Sequence, residues 1–271
     1  MRLLVTGATG FVGGRLARRL IDRHEVRCMV RDASKAGGLD EAGAEVCEGD
    51  ALDRGSLDGV FDGIDLAYYL IHSMGRGGGE GFRERERRAA ANFAEAASAA
   101  GVGRIVYLGG LGENVSSEHL RSRQETAAIL AAKGPPLTYF RAAMVVGSES
   151  ESYRTLRYLV ERLPVMIAPA WLRTPTQPIA ADDVIAYLAA APEVAQSEAR
   201  EVQIGGPEVL SYGEMLDRMA LALGKRPRPR VPVPFLTPRL SSLWIGLITP
   251  VDAGVAAPLV EGLETETVVT D

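Results

Sequence analysis

The sequence predicts an α/β fold, a doubly wound parallel sheet with a small C-terminal lobe, on three observations. An apolar strand, Leu3-Leu4-Val5, enters the glycine turn Thr6-Gly7-Ala8-Thr9-Gly10-Phe11-Val12-Gly13 and leaves it as a helix. That helix carries its apolar residues at Leu16, Ala17, Leu20 and Ile21. Five more short apolar strands then alternate with helices and turns as far as Arg141. After residue 142 the rhythm changes, and the 271 residues leave enough chain for a lobe beside the sheet.

The glycine turn comes first because each glycine has a separate physical task. Gly7 permits the tight turn, Gly10 lets backbone approach a pyrophosphate, and Gly13 lets the helix lie close on the strand. The free N–H groups and positive dipole at a helix start favour phosphates. In a strand–turn–helix setting this predicts a dinucleotide site of the Rossmann type, with Thr6, Gly7, Thr9, Gly10, Phe11, Val12 and Gly13 at the cofactor. The spacing is Gly-x-x-Gly-x-x-Gly, where most dinucleotide dehydrogenases carry Gly-x-Gly-x-x-Gly.

Glu25 to Arg31 reads as the second strand, and its end bears on cofactor type. An acid there grips a ribose 2′-hydroxyl, whereas an arginine accommodates a 2′-phosphate. Arg31, Ser34 and Lys35 against Asp32 favour NADP(H), with NAD(H) as the alternative. Ala44 to Cys47 is the third strand. Asp50, followed by Ala51, is expected either at the adenine amino group or as the cap of a helix near Ser56 to Phe61. The fourth strand, Leu66 to Ile71, brings Leu70, His72 and Ser73 towards the nicotinamide half, and the glycine run 75–79 reads as a lid loop. A helix over 81–100 leads to the fifth strand, Arg104 to Leu108, which ends in Gly109-Gly110-Leu111-Gly112. A helix over 117–132 and a sixth strand, Leu137 to Arg141, follow, with Arg141 placed to meet cofactor or a substrate anion. The expected strand order is 3-2-1-4-5-6, with residues 1–148 as the dinucleotide-binding core. Residues 149–271 are expected to form a lobe that shares this core.

In that lobe Leu156 to Leu163 is amphipathic, Asp182 and Asp183 open a helix, Val202 to Ile204 is a short strand, and Ser211 with Glu214 forms a capping box. Leu240, Leu243, Trp244, Leu247 and Ile248 make an apolar stripe, continued by Val251, Val255, Leu259 and Leu263. It reads as core or as a cover over the cleft, or else as a docking face for a partner, a membrane surface or a further domain.

A net charge of −5 gives no electrostatic case for nucleic acid. No apolar run reaches the ~18 residues of a membrane span. The first strand begins at residue 2, which leaves no room for a signal peptide, so a cytoplasmic protein is expected. His24, His72 and His119 stand singly, and Cys28 and Cys47 have no metal spacing, so no metal site is expected.

The glycine turn, Gly49-Asp50, Pro178-Ile179 with Asp182-Asp183-Val184, and Ile204-Gly205-Gly206-Pro207 with Ser211 and Glu214 together resemble the short-chain dehydrogenase/reductase superfamily. The likeness is to its atypical and extended branches, above all the NAD(P)H-binding, nitrogen-metabolite-repressor-like group. That branch also includes the accessory NADPH-binding subunit of respiratory complex I. The tail through Pro238 to Leu263 resembles bacterial members that continue into a further C-terminal domain.

The resemblance implies a catalytic Ser after the fifth strand and a Tyr-x-x-x-Lys on the next helix, with Tyr as general acid/base. This chain departs at both places. Gly109-Gly110-Leu111-Gly112 carries no hydroxyl before Ser116 and Ser117, and His119-Leu120-Arg121-Ser122-Arg123 stands where the second motif belongs. His119 is the candidate proton-transfer group and Arg123 the candidate ribose contact, with His72 as a second catalytic candidate. The expected function is an NADP(H)-dependent oxidoreductase on a small, largely apolar substrate. The alternative is a non-catalytic NADP(H)-binding regulator, sensor or assembly factor.

Overall fold

A computed structural model describes residues 1–71, 80–112, 117–233 and 262–270. The sheet-forming part runs β1 (Arg2–Thr6), α1 (Phe11–Ile21), β2 (Glu25–Val30), β3 (Glu45–Glu48), β4 (Leu66–Tyr69), α2 (Glu80–Ala99), β5 (Arg104–Gly110), α3 (Glu118–Lys133) and β6 (Leu137–Ala142). Then come β7 (Val145–Val146), α4 (Glu151–Arg162), β8 (Met166–Ala168), β9 (Pro175–Thr176), β10 (Ile179–Ala180) and α5 (Ala181–Ala190). They are followed by β11 (Glu201–Ile204), β12 (Leu210–Ser211), α6 (Tyr212–Ala222) and β13 (Arg230–Pro232).

Seven strands form one sheet in the order β11-β6-β5-β4-β1-β2-β3, and every pairing in it is parallel. The expected 3-2-1-4-5-6 order is present, and the short strand at Val202 to Ile204 extends it on the β6 edge. Strands covered on both faces must be apolar at odd and even positions alike. Accordingly Leu3 and Val5 of β1 pack with α1 and α5 on one face, and Leu4 packs with α2 and α3 on the other. Successive strands build outwards from β1 in both directions, so the order reverses between β1 and β4. Ligands of such sheets bind beyond the strand ends at that reversal.

The helix expected near Ser56 to Phe61 is replaced by a single 3-10 turn, Arg54–Leu57. Gly59 and Gly63 adopt φ of +76° and +69°, which a helix cannot include. The buried Arg27 guanidinium donates instead to the carbonyls of Gly59, Val60 and Asp62. Asp50 is not the cap: Asp53 accepts from the Gly55 N–H, while the Asp50 carboxylate accepts from the Leu52 N–H at 2.9 Å.

A third apolar cluster joins α4 and α6 through Leu156, Val160, Trp171, Tyr212 and Leu216. The Ser211–Glu214 capping box forms, and Asp182 and Asp183 occupy the first turn of α5. Residues 265–270 return to the sheet's C-terminal edge, where Thr267 bridges Thr176 and Thr270 donates to Gln203. Of the apolar tail stripe, Leu263 packs on the third cluster, and Leu240 to Leu259 lie outside the described residues. No helix among the described residues is long and apolar enough to cross a membrane.

Candidate functional site

The turn between β1 and α1 is built as its glycines require. Gly7 has φ +67°, and a Cβ on it would stand 2.5 Å from the Leu70 carbonyl oxygen. A Cβ on Gly13 would stand 2.3 Å from the Gly7 carbonyl oxygen, so the helix lies directly on the turn. Gly10 differs: its Cβ would meet only that same oxygen, at 3.1 Å, and otherwise open space. The first helical hydrogen bond runs from the Gly14 N–H to the Gly10 carbonyl, and no side chain caps the helix. The N–H groups of Phe11, Val12 and Gly13 precede that bond and face the mouth of the turn. Backbone donors, an aligned helix dipole and the absence of a side chain at Gly10 suit a pyrophosphate.

The other residues expected here divide by position. The Thr6 hydroxyl is fully buried, donating to the Tyr68 carbonyl at 2.9 Å and accepting from the Leu70 N–H at 3.2 Å. It ties β1 to β4 at the reversal point and thereby sets Leu70 beside Gly7. Thr9 is exposed at the turn. The Phe11 ring turns away, stacked under Arg15 at 4.7 Å and against Gly147, leaving only its backbone at the turn. Ala51 is buried, and its carbonyl accepts from the Asn92 amide.

Beyond β2 the four polar residues are not equivalent. Asp32 accepts from the Ser34 hydroxyl at 2.5 Å and pairs with Lys35 at 3.1 Å, closing the 3-10 turn Ala33–Lys35. The Ser34 and Lys35 contacts hold its carboxyl below the usual range. Ser34 and Lys35 are thus engaged locally. Arg31 is exposed and makes no hydrogen bond or ion pair among the described residues.

At the end of β5 the glycines are places other side chains need. A Cβ on Gly109 would lie 2.7 Å from the Tyr139 hydroxyl, and one on Gly110 would lie 2.5 Å from Leu120. Gly112, at φ +136°, carries Leu120 and Thr265 against its α-carbon, while its carbonyl accepts from Arg141 at 2.6 Å and from Gln124 at 3.3 Å. Arg141 is buried and also pairs with Glu201 at 2.5 Å, so it clamps this loop to β11 and presents no free charge to a ligand. No local pattern reports this clamp, because Glu201 lies sixty residues away.

His119 is half-buried in the first turn of α3, and Arg123 follows one turn later on the same face. The Tyr107 hydroxyl donates to the Arg123 carbonyl at 3.3 Å. Burial works against the Arg123 charge, yet Tyr107, the buried Glu86 and Tyr139 together raise its pKa above the ordinary value. The guanidinium therefore sits in an enclosed polar cluster between α2, α3 and the sheet. Ser117 occupies the N-cap of α3 with its hydroxyl fully buried and unpartnered. His72, Ser73 and the run 75–79 lie outside the described residues, as does Ser116.

Cys28 and Cys47 lie on adjacent strands as free thiols, and burial, with the neighbouring Cys47, pushes Cys28 up to about 12. Among the described residues no three His, Cys, Asp or Glu side chains gather as a metal site would require.

The glycine cradle is matched by comparison with known proteins. An NAD(P)H-binding family matches residues 7–147, more than half of the chain. The chain belongs to this NAD(P)H-binding family. Over 227 residues it is 28% identical to a (4-alkanoyl-5-oxo-2,5-dihydrofuran-3-yl)methyl phosphate reductase of Streptomyces griseus, covering 82% of this chain and 74% of that protein. A triphenylmethane reductase of Citrobacter sp., complexed with NADP(H), shares the fold with a TM-score of 0.79 at 19% identity, covering 100% of this chain and 93% of that one. An NADPH-dependent quinone oxidoreductase of Escherichia coli, complexed with NADPH, does so with a TM-score of 0.77 at 22% identity, covering 97% and 88%. The family member is thus an oxidoreductase-like Rossmann protein whose cofactor class is NAD(P)(H).

Proposed function

We propose that the protein is an NADP(H)-dependent oxidoreductase acting on a small, largely apolar acceptor. The observation that carries this reading is the uncapped start of α1, open at Gly10, with the free Arg31 guanidinium at the end of β2. The N–H groups of Phe11, Val12 and Gly13 would hold the pyrophosphate, and Arg31 would pair with the 2′-phosphate. Asp32 keeps its charge on Ser34 and Lys35, which leaves Arg31 as the main contact. NADPH, when bound, supplies the hydride. Leu70, Gly109 and the loop held by Arg141 and Gln124 would form the wall beside the nicotinamide. His119 would pass the proton, because it lies on the helix face that Arg123 turns towards the sheet, one turn nearer the strand ends. The reductase names of the Streptomyces, Citrobacter and Escherichia proteins support an acceptor reduced by NADPH. The test is NADPH oxidation across quinones, enones and carbonyls, with NADH in parallel. Turnover of at least one acceptor with NADPH favoured is the expected result.

A second reading is favoured by one observation. The residues standing at the places of the missing Ser and Lys are committed elsewhere, Gly109 under Tyr139 and Arg123 to Tyr107 and Glu86. A regulator or assembly factor that binds NADP(H) without turnover would look the same there. Tight NADPH binding with no acceptor reduced across the panel would favour it.

A further inference from the structure

We propose that a cleft between α3 and the β6–β11 edge binds a small apolar carboxylate. The cleft is open to solvent and has a volume of about 520 Å³, within the range of small-molecule sites. Ala127, Ala128 and Ala131 form its α3 wall, and Leu137 and Pro136 form the opposite side. Alanines at these positions leave a trough that longer side chains would fill.

Tyr139 also lines the cleft. It is 7% exposed, and its buried hydroxyl has no hydrogen-bond partner. That hydroxyl lies over Gly109 on β5, so what Tyr139 adds to the cleft is apolar ring surface. The rim is strained as well. Ala199 has φ +53°, alone among the described non-glycine residues in the left-handed region, and it sets Arg200 at the mouth.

The charges decide the ligand class. Arg141 and Glu201 line the cleft but are spent on each other, with Arg141 also on the carbonyls of Gly110 and Gly112. Gln124 is likewise engaged with the Gly112 carbonyl. Arg200 is exposed, and its guanidinium makes no hydrogen bond or ion pair among the described residues. The unspent recognition group is therefore a single planar cation over an apolar trough. Its complement is a carboxylate on a compact hydrocarbon body, which a guanidinium grips through two parallel hydrogen bonds. The cleft lies at the β6–β11 edge, away from the β1–β4 reversal, so the two sites do not compete for space.

The test titrates 1-naphthoate into the full chain by ligand-observed NMR, with 1-naphthalenemethanol as its uncharged counterpart. Saturable binding of the acid is expected, at least tenfold tighter than that of the alcohol. Arg200→Gln should weaken the acid about tenfold and leave the alcohol unchanged, and Ala128→Trp should remove both by filling the trough. Both variants should bind NADPH as the parent does, which certifies their fold; if Ala128→Trp does not fold, Arg200→Gln decides alone. Four results would overturn the proposal: no saturable binding, equal affinity for acid and alcohol, no effect of Arg200→Gln, or undiminished binding by a folded Ala128→Trp. Naphthoate binding absent from a dimer that Ala128→Trp splits would assign the face to a second copy instead.

Discussion

Exchanging Gly10 and Gly13 separately for alanine distinguishes a glycine that serves the cofactor from one that serves the fold. A methyl on Gly13 would sit 2.3 Å from the Gly7 carbonyl oxygen and 2.7 Å from its carbon, where ordinary contact begins at 3.4 Å. Both atoms are main chain, so no rotamer relieves the overlap, and helix and turn must part by about 1 Å. Overpacking of this kind costs ~1–3 kcal/mol, and alanine's better helix propensity returns at most about 1 kcal/mol. An overlap this deep with main chain belongs at the upper end of that range, so the net loss of about 2 kcal/mol should lower Tm by roughly 4–8 °C in a domain of this size. Gly10 has φ −89° and ψ 170°, which alanine adopts freely, and its methyl would touch one atom, at 3.1 Å. Losing glycine at an N-cap costs less than about 1 kcal/mol, offset by about as much from a stiffer unfolded chain. Gly10→Ala should therefore melt like the parent yet bind NADPH 10–100-fold more weakly, about 1.4–2.7 kcal/mol, because the methyl fills the pyrophosphate's space. Calorimetric melting without cofactor and NADPH titration read the two effects separately. Parental NADPH affinity in Gly10→Ala, or a parental Tm in Gly13→Ala, would refute the division of roles.

Arg31→Ala should weaken NADPH by about 1.5–3 kcal/mol, the worth of a hydrogen bond to a charged group, and leave NADH nearly unchanged; equal losses in paired titrations would remove Arg31 from the 2′-phosphate. His119→Phe should cut turnover by ~10²–10⁴ with little change in NADPH affinity, and full turnover in that variant would take the proton from elsewhere. Arg123→Met should destabilise the fold by on the order of 1–3 kcal/mol, because it removes a buried cation that interacts favourably with Tyr107 and Glu86; denaturant unfolding measures this, and an unchanged midpoint would count against the cluster as a stabilising unit. The Arg27 hydrogen bond, with Arg2 in support, holds the Glu45 carboxyl below its usual 4.5, so its stabilisation is full above that value and fades as pH falls through the folded one. Glu45 is half exposed, which limits the effect to less than about 1 kcal/mol; Glu45→Gln should flatten the acid limb of Tm against pH, and an unaltered limb would count against the pair.

The parts of this architecture that are local in sequence are legible in the sequence alone. A strand, a glycine turn and a helix are contiguous, so periodicity and three glycines specify the tight turn at Gly7 and the close helix at Gly13, though not the distant Leu70 carbonyl against Gly7. The Ser211–Glu214 box is legible for the same reason. The features that are not legible join distant segments. The buried Arg27 donates to the carbonyls of Gly59 and Val60, and no helical period can report a guanidinium brought to a turn from another strand. Asp32 is an intermediate case. Its spacing to Ser34 and Lys35 is that of a small capped turn, a signal present in the sequence but outweighed by counting donors for a phosphate. The pairing of Gln177 and Pro178 with Gly206 likewise explains a family landmark as packing: a Cβ on Gly206 would lie 2.1 Å from the Pro178 carbonyl oxygen.

The end of β5 carries the strongest constraint on chemistry. Gly109 faces the same side of the sheet as Tyr107, and its neighbour in register is Arg141. The Tyr139 ring covers its α-carbon from the adjacent strand, Leu120 covers Gly110, and Arg141 draws the loop to β11. A hydroxyl at Gly109 would need the space that the Tyr139 ring fills, so the serine implied by resemblance is excluded there by packing, whatever the cofactor. On the proposed reading the proton would then come from a group outside β5, and His119 in the first turn of α3 is the candidate. The same packing leaves the Tyr139 side chain along the α3 cleft. One aromatic ring thus closes the usual catalytic position and lines the proposed carboxylate site, so the two features of this chain share one structural cause.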